Sequence, residues 1–186
     1  MIRLIAALIA IGSAIVAPAS AAQWTVDYSK SRLGFSVLWS GQPFEATFKS
    51  WKANIIFDRT DLIHAKAIVT IDLDSETSAA PDNDDGLKGA EGFAISQFPS
   101  AHFETTHFES KTEGNYLANG KLSLHGVTRQ ISLPFHLTIN GNTAHMTAKA
   151  SVLRTDFGLG HGEWASPGTI AREVAITVDL TATKSH

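Results

Sequence analysis

The sequence predicts a mainly all-β fold, one antiparallel domain of about eight strands with a single short helix. Three observations predict it. Apolar residues recur at every second position through most of the chain, the period of a strand with one buried face. Short clusters of Asn, Asp and Gly punctuate those runs. Only Asp85 to Gln97 breaks the alternation, and Leu87, Glu91 and Ile95 give it helical spacing despite Gly89 and Gly92.

The chain opens on a leader. Arg3 supplies a positive start, Leu4 to Val16 an apolar run, and Ala19-Ser20-Ala21-Ala22 a small-residue cleavage site. The run is short for a membrane span, and without Cys at the cleavage site there is no lipid attachment point. Residues 1–22 are expected to be a removed signal peptide, and residues 23–186 one periplasmic or secreted domain.

The strands follow in order. Leu33, Phe35, Val37 and Trp39 form the first apolar set, and Phe44, Ala46 and Phe48 the next. The phase then slips to Trp51, Ala53, Ile55 and Phe57, which predicts a bulge near Lys49-Ser50. Asp58-Arg59-Thr60-Asp61 makes a turn before Ala65, Ala67, Val69, Ile71 and Leu73. Ala101, Phe103, Thr105 and His107 make a weaker strand, closed by the turn signal Glu113-Gly114-Asn115. Leu122 and Leu124, a turn at Gly126-Val127-Thr128, then Ile131, Leu133, Phe135, Leu137 and Ile139 form a hairpin with one apolar face. Pro134 removes a ladder donor on its outer face, so that arm is expected to be an edge or to carry a bulge. After Asn140-Gly141-Asn142 come Met146, Ala148, Ala150 and Val152, and the chain closes on Val174, Ile176, Val178, Leu180 and Ala182. Periodicity fits a packed sandwich or a closed barrel equally well.

Composition excludes several classes. With Arg3 in the leader, 14 Lys and Arg face 18 Asp and Glu, a net charge of −4 that attracts neither nucleic acid nor anionic lipid. There is no Cys, hence no disulfide or thiolate metal site. The residues show no nucleophile elbow, zinc-protease helix, phosphate loop or dinucleotide fingerprint, and Asp72 and Asp74 mark no cleft, so no enzyme is expected. His102 and His107, five apart, are expected on opposite strand faces, and His161 with Glu163 lacks a third metal ligand. No metal site and no covalent cofactor are expected.

Four stretches, "WTVDYSKSRLGFSV", "FPSAHFETTHF", "GKLSLHGVTRQISLPF" and "RTDFGLG", resemble the YceI-like family of exported lipid-binding proteins, in order along the whole mature chain. The resemblance implies a lipocalin-like eight-stranded antiparallel β-barrel with a helix over one side and a tunnel for a long isoprenoid or quinone-like lipid. Where many members carry an Arg-Asp pair, "DGLKGAEGF" (Asp85 to Phe93) lacks the Arg and keeps Asp84-Asp85. "GHGEW" (Gly160 to Trp164) resembles a subgroup found beside membrane b-type cytochromes, which implies such a cytochrome as partner.

The resemblance makes the inward phase a ligand wall: Phe35, Val37, Phe48, Ile55, Phe57, Val69, Ile71, Phe93, Phe98, Phe103, Leu122, Leu124, Leu133, Phe135, Leu137, Met146, Ala148, Phe157, Trp164, Ile176 and Val178. Ten Phe against two Tyr suits a hydrocarbon guest, because a buried phenol needs a hydrogen-bond partner. Candidate polar residues for a head group at the barrel mouth are Arg154 and Asp156, His161 and Glu163 with Trp164, and Asp84 and Asp85; of these Arg154 and Asp156 read better as a surface ion pair. The function expected is a periplasmic carrier of an isoprenoid or polyprenyl quinone. The alternatives are a redox accessory of a cytochrome and a solid β-domain that binds another protein. An exposed edge strand would allow a homodimer.

Overall fold

The structure, a computed structural model, describes residues 22–185. The leader read at residues 1–22 therefore lies, apart from Ala22, outside the described residues. The strands are β1 (Gln23–Val26), β2 (Arg32–Trp39), β3 (Gln42–Phe48), β4 (Trp51–Ile56), β5 (Lys66–Asp72), β6 (Glu76–Ser78), β7 (Ser100–Ser110), β8 (Asn115–Leu124), β9 (Val127–Asn140), β10 (Thr143–Leu153) and β11 (Glu173–Lys184). The helix is α1 (Pro81–Lys88).

Three staves of the barrel are broken strands. β1 and β2 lie end to end along β11, with Thr25 opposite Thr183 and Phe35 opposite Ile176. β3 with β4, and β5 with β6, are two further bent strands, laddered through the β4–β5 and β3–β6 pairings. Counted this way the chain is an eight-stave antiparallel meander, and β11 closes it onto β1 and β2. Over the described residues the fold is the predicted eight-stranded barrel with one short helix.

The expected bulge is present between β3 and β4. Phe48 and Trp51 are both buried while Lys49 and Ser50 are both exposed. Ser75 fills the gap, its carbonyl accepting from Lys49 N at 3.1 Å and its Oγ from Ser50 N at 2.9 Å.

Four local readings change. α1 spans Pro81–Lys88 rather than beginning at Asp85. Pro81 presets the first turn, Asp82 and Asp84 face the positive helix end, and Gly89 terminates it. β8 begins at Asn115, seven residues before Leu122, because Ala118 and Gly120 on its inward phase are too small to mark alternation. The hairpin turn is His125-Gly126, with φ of 53° and 73°, and Leu124 pairs directly with Val127. Two consecutive positive φ values match the twist of the flanking strands. In β7 a bulge between Thr105 and His107 turns His107 outward, to the face that His102 is on, and brings Phe108 inward. The two histidines therefore share one face.

Pro134 stands where a ladder ends. β9 pairs with β8 from Val127 to His136, but with β10 only from Phe135 to Asn140. The gap beside Val127 to Pro134 is filled by a 3-10 turn, Arg154–Phe157, whose Phe157 is 1% exposed. Phe157 packs there among Phe103, Leu122 and Ile131.

One close approach fixes the β2–β3 stave. A Cβ on Gly34 would collide with the Ala46 carbonyl across the ladder. Gly34→Ala is expected to lower unfolding free energy by about 1–3 kcal/mol, measured by urea denaturation followed through tryptophan fluorescence.

Candidate functional site

Alternation sends every second side chain of each strand into the barrel. Eight strands enclose a space that side chains can just fill, or that holds one small ligand. Here they do not fill it: a cavity of about 270 Å³ lies inside. A void that admits one water needs only ~10–15 Å³, so this is far more than a packing defect.

The cavity wall is built from Phe35, Val37, Phe48, Ile55, Phe57, Val69, Ile71, Phe93, Phe103, Leu122, Leu124, Leu133, Phe135, Leu137, Met146, Phe157, Trp164, Ile176 and Val178 among the residues read from sequence. Two others fall elsewhere. Phe98 leaves the lumen and packs at a tilt against His125, ring centres 4.7 Å apart, at the β8–β9 turn. Ala148 is buried between its cross-strand partners Phe135 and Val178, and its single methyl group is too short to reach past them.

Several wall residues were not legible. Trp24 belongs to β1, a strand of four residues whose only mark was Trp24 and Val26 two apart. Ala118 lies in the unread half of β8, and Leu87 projects from α1. Phe108 arrives through the β7 bulge, which leaves no trace in composition.

Aromatic clusters line two parts of the lumen. At one, Phe57 meets Phe108, Tyr116 and Phe135 edge-on at 5.3, 5.4 and 6.1 Å. At the other, beneath α1, Phe93 contacts Phe35 and Phe48 at 6.0 and 6.1 Å. Trp164 meets Trp39 edge-on at 5.1 Å and lies against Gly86 of α1.

Polar groups on the wall are few: Thr105, Glu91 and Arg154. Thr105 is satisfied by the chain, its Oγ1 accepting from Ala67 N at 2.8 Å. Arg154 is 5% exposed and forms no ion pair with Asp156, which is exposed; the surface-pair reading is thus corrected. Its guanidinium donates to four carbonyls: Nε to Ala171 at 3.1 Å, Nη1 to Leu159 at 3.0 Å, and Nη2 to Trp164 at 2.7 Å and Ile170 at 2.8 Å. Gly160, at φ 84°, leaves the space the guanidinium occupies. Burial, with Arg172 nearby, holds the Arg154 pKa below the usual guanidinium value. Arg154 thereby ties the Gly-rich loop, Gly158 to Gly168, to the barrel and puts a positive charge at the α1 end of the lumen. Glu91 holds the same loop, its carbonyl accepting from Gly160 N at 3.0 Å.

The other polar residues read for the mouth separate. His161, Glu163 and Asp85 face solvent. Asp84 is buried and anchors α1 to β6, accepting from Ser78 N at 2.9 Å and from Ser78 Oγ. Beneath it lies Glu76, which sequence reasoning missed. Glu76 is 3% exposed, and neither carboxylate oxygen has a hydrogen-bond partner. Burial and the neighbouring Asp84 raise its pKa to about 7.

The chain resembles proteins of known structure and sequence. BcnA of Burkholderia cenocepacia is 28% identical, with a TM-score of 0.82 over 86% of this chain and 100% of that one. A polyisoprenoid-binding domain from Saccharophagus degradans shares the fold, with a TM-score of 0.68 over 90% of this chain and all of that one, at 15% identity. A UPF0312 protein of Shewanella baltica (strain OS185) is 28% identical over 174 residues, covering 84% of this chain and 87% of its own. Residues 24–182 match the YceI-like domain, and the chain belongs to that family.

Proposed function

We propose that the protein binds a long isoprenoid or related amphiphilic lipid inside the barrel. The observation that carries the reading is the cavity inside the barrel, apolar along its length and polar only toward α1 apart from the self-satisfied Thr105. A hydrocarbon tail needs no partner there, and each 100 Å² of tail surface removed from water contributes roughly 2.5 kcal/mol. Support comes also from the shared fold of the polyisoprenoid-binding domain and from family membership.

The amphiphile is oriented with its head toward Arg154, whose positive charge favours an electron-rich oxygen such as a quinone carbonyl. In this reading residues 1–22 direct export, the lipid is carried in the periplasm or outside the cell, and a membrane b-type cytochrome is the partner of a quinone-loaded form. The cavity counts against the alternative of a solid domain whose role is only to bind protein.

Native mass spectrometry of the protein purified without detergent is expected to show a bound lipid that organic extraction releases. Redox-sensitive ultraviolet absorbance in the extract identifies a quinone, and its absence an isoprenoid of another class. A protein with no extractable lipid, and none taken up from added polyprenol, overturns the reading.

Filling the lumen provides a second check. Val178 is half-buried on β11 and lines the cavity. Val178→Trp is expected to reduce co-purified lipid at least tenfold, by mass spectrometry, while the far-ultraviolet circular dichroism stays that of the β-barrel.

A further inference from the structure

Glu76 is an anomaly that the lipid-binding reading does not use. It sits on β6 opposite Phe48, and directly opposed residues in an antiparallel pair share a face. Phe48 lines the cavity, so Glu76 lies on the inward face of the sheet as well, covered by α1 rather than exposed on the cavity wall. Its two oxygens are nevertheless sealed from bulk water and lack any donor. The charged groups that face it are Asp84 and Lys88 of α1. Lys88 is itself engaged with Asp74 at 3.3 Å.

The cover over this carboxyl is lightly held. α1 has eight residues, too few to be stable alone, and its N-cap Ala80 makes no side-chain capping bond. Its attachments to the barrel wall are the Ser78–Asp84 hydrogen bonds, the Lys88–Asp74 pair, Leu87 inserted into the lumen and Trp164 against Gly86, while its last turn is held by Phe93 N donating to the Leu87 carbonyl at 2.6 Å and Ile95 N to that of Lys88 at 3.2 Å. A protonated Glu76 is compatible with this packing. An ionised one is a buried charge without a donor, beside a second carboxylate, and it recovers hydration only if α1 lifts.

We propose that Glu76 is a proton-operated latch: protonated it lets α1 seal one end of the lumen, and ionised it releases α1 and opens that end. The direction with pH follows from the two states. Sealed, the group titrates at about 7; released into water, it returns to the ordinary 4.5. The sealed form therefore binds the proton more tightly, and sealing is fully favoured below about pH 4.5. It is lost progressively as pH rises to about 7, and constant above that. The latch stands on the geometry of Glu76 and α1; only its use in lipid exchange rests on the proposed function.

The test is hydrogen exchange by mass spectrometry on the full chain without added lipid, comparing protection factors corrected for the intrinsic rate. Protection across residues 79–92 is expected to fall roughly 10- to 100-fold from pH 5 to pH 8, while β10 and β11 keep theirs. Glu76→Gln should show the pH 5 level at both pH values. Asp84→Asn, which removes the like charge, should show a smaller fall than wild type. Equal wild-type protection at both pH values, or an undiminished fall in Glu76→Gln, overturns the latch. In a second arm, displacement of N-phenyl-1-naphthylamine from the lumen should accelerate with pH in wild type and not in Glu76→Gln. A pH-dependent α1 in a protein that takes up neither this probe nor polyprenol sinks the lipid reading and leaves the latch standing.

Discussion

Everything in this barrel depends on β11 finding two neighbours on the same side. One stretch of twelve residues pairs with β10 along its length, and on its other edge with β2 and then β1. Without that closure the sheet would end in two long open edges, and the lumen would be a wet groove. The break between β1 and β2 is bridged by a side chain. Thr181 N donates to Ser31 Oγ at 3.0 Å, where a strand would have offered a carbonyl. Ala182 opposite Val26, with no exposed surface at all, shows how tightly this corner is drawn.

The alternation that makes strands also sets what the lumen is made of. Leu33, Phe35 and Val37 on one stave and Val174, Ile176 and Val178 on another were legible because a long run of period two has few alternative structures. What was not legible were the places where the period is interrupted. The β7 bulge exchanged His107 for Phe108, and small residues hid the first half of β8. Glu76 was silent for another reason: three residues of β6 carry no pattern, and its burial is imposed by a helix that pairs with nothing in sequence. Arg154 misled because a charged residue two before an Asp is most often half of a surface pair. Its true partners are carbonyls of a loop that only folding brings near.

Polar and apolar demands are separated in space. Most of the lumen is hydrocarbon and aromatic ring, with no donor asking for a partner. Among the described residues Arg154 is the one buried cation, solvated by peptide dipoles at one end, so the loop it organises and the polarity of that end are one feature. The same end carries the unpartnered carboxyl and the lightly tethered helix, which makes it the part of the wall most responsive to its surroundings.

The gap beside Pro134 has a consequence of another kind. Most of this wall is closed by ladder hydrogen bonds, but there Phe157 closes it by apolar contact alone. Apolar burial weakens on cooling, being largely entropic near room temperature. A barrel stitched by both means has two temperature responses in one wall, and cold loosens the stopper while the ladders hold.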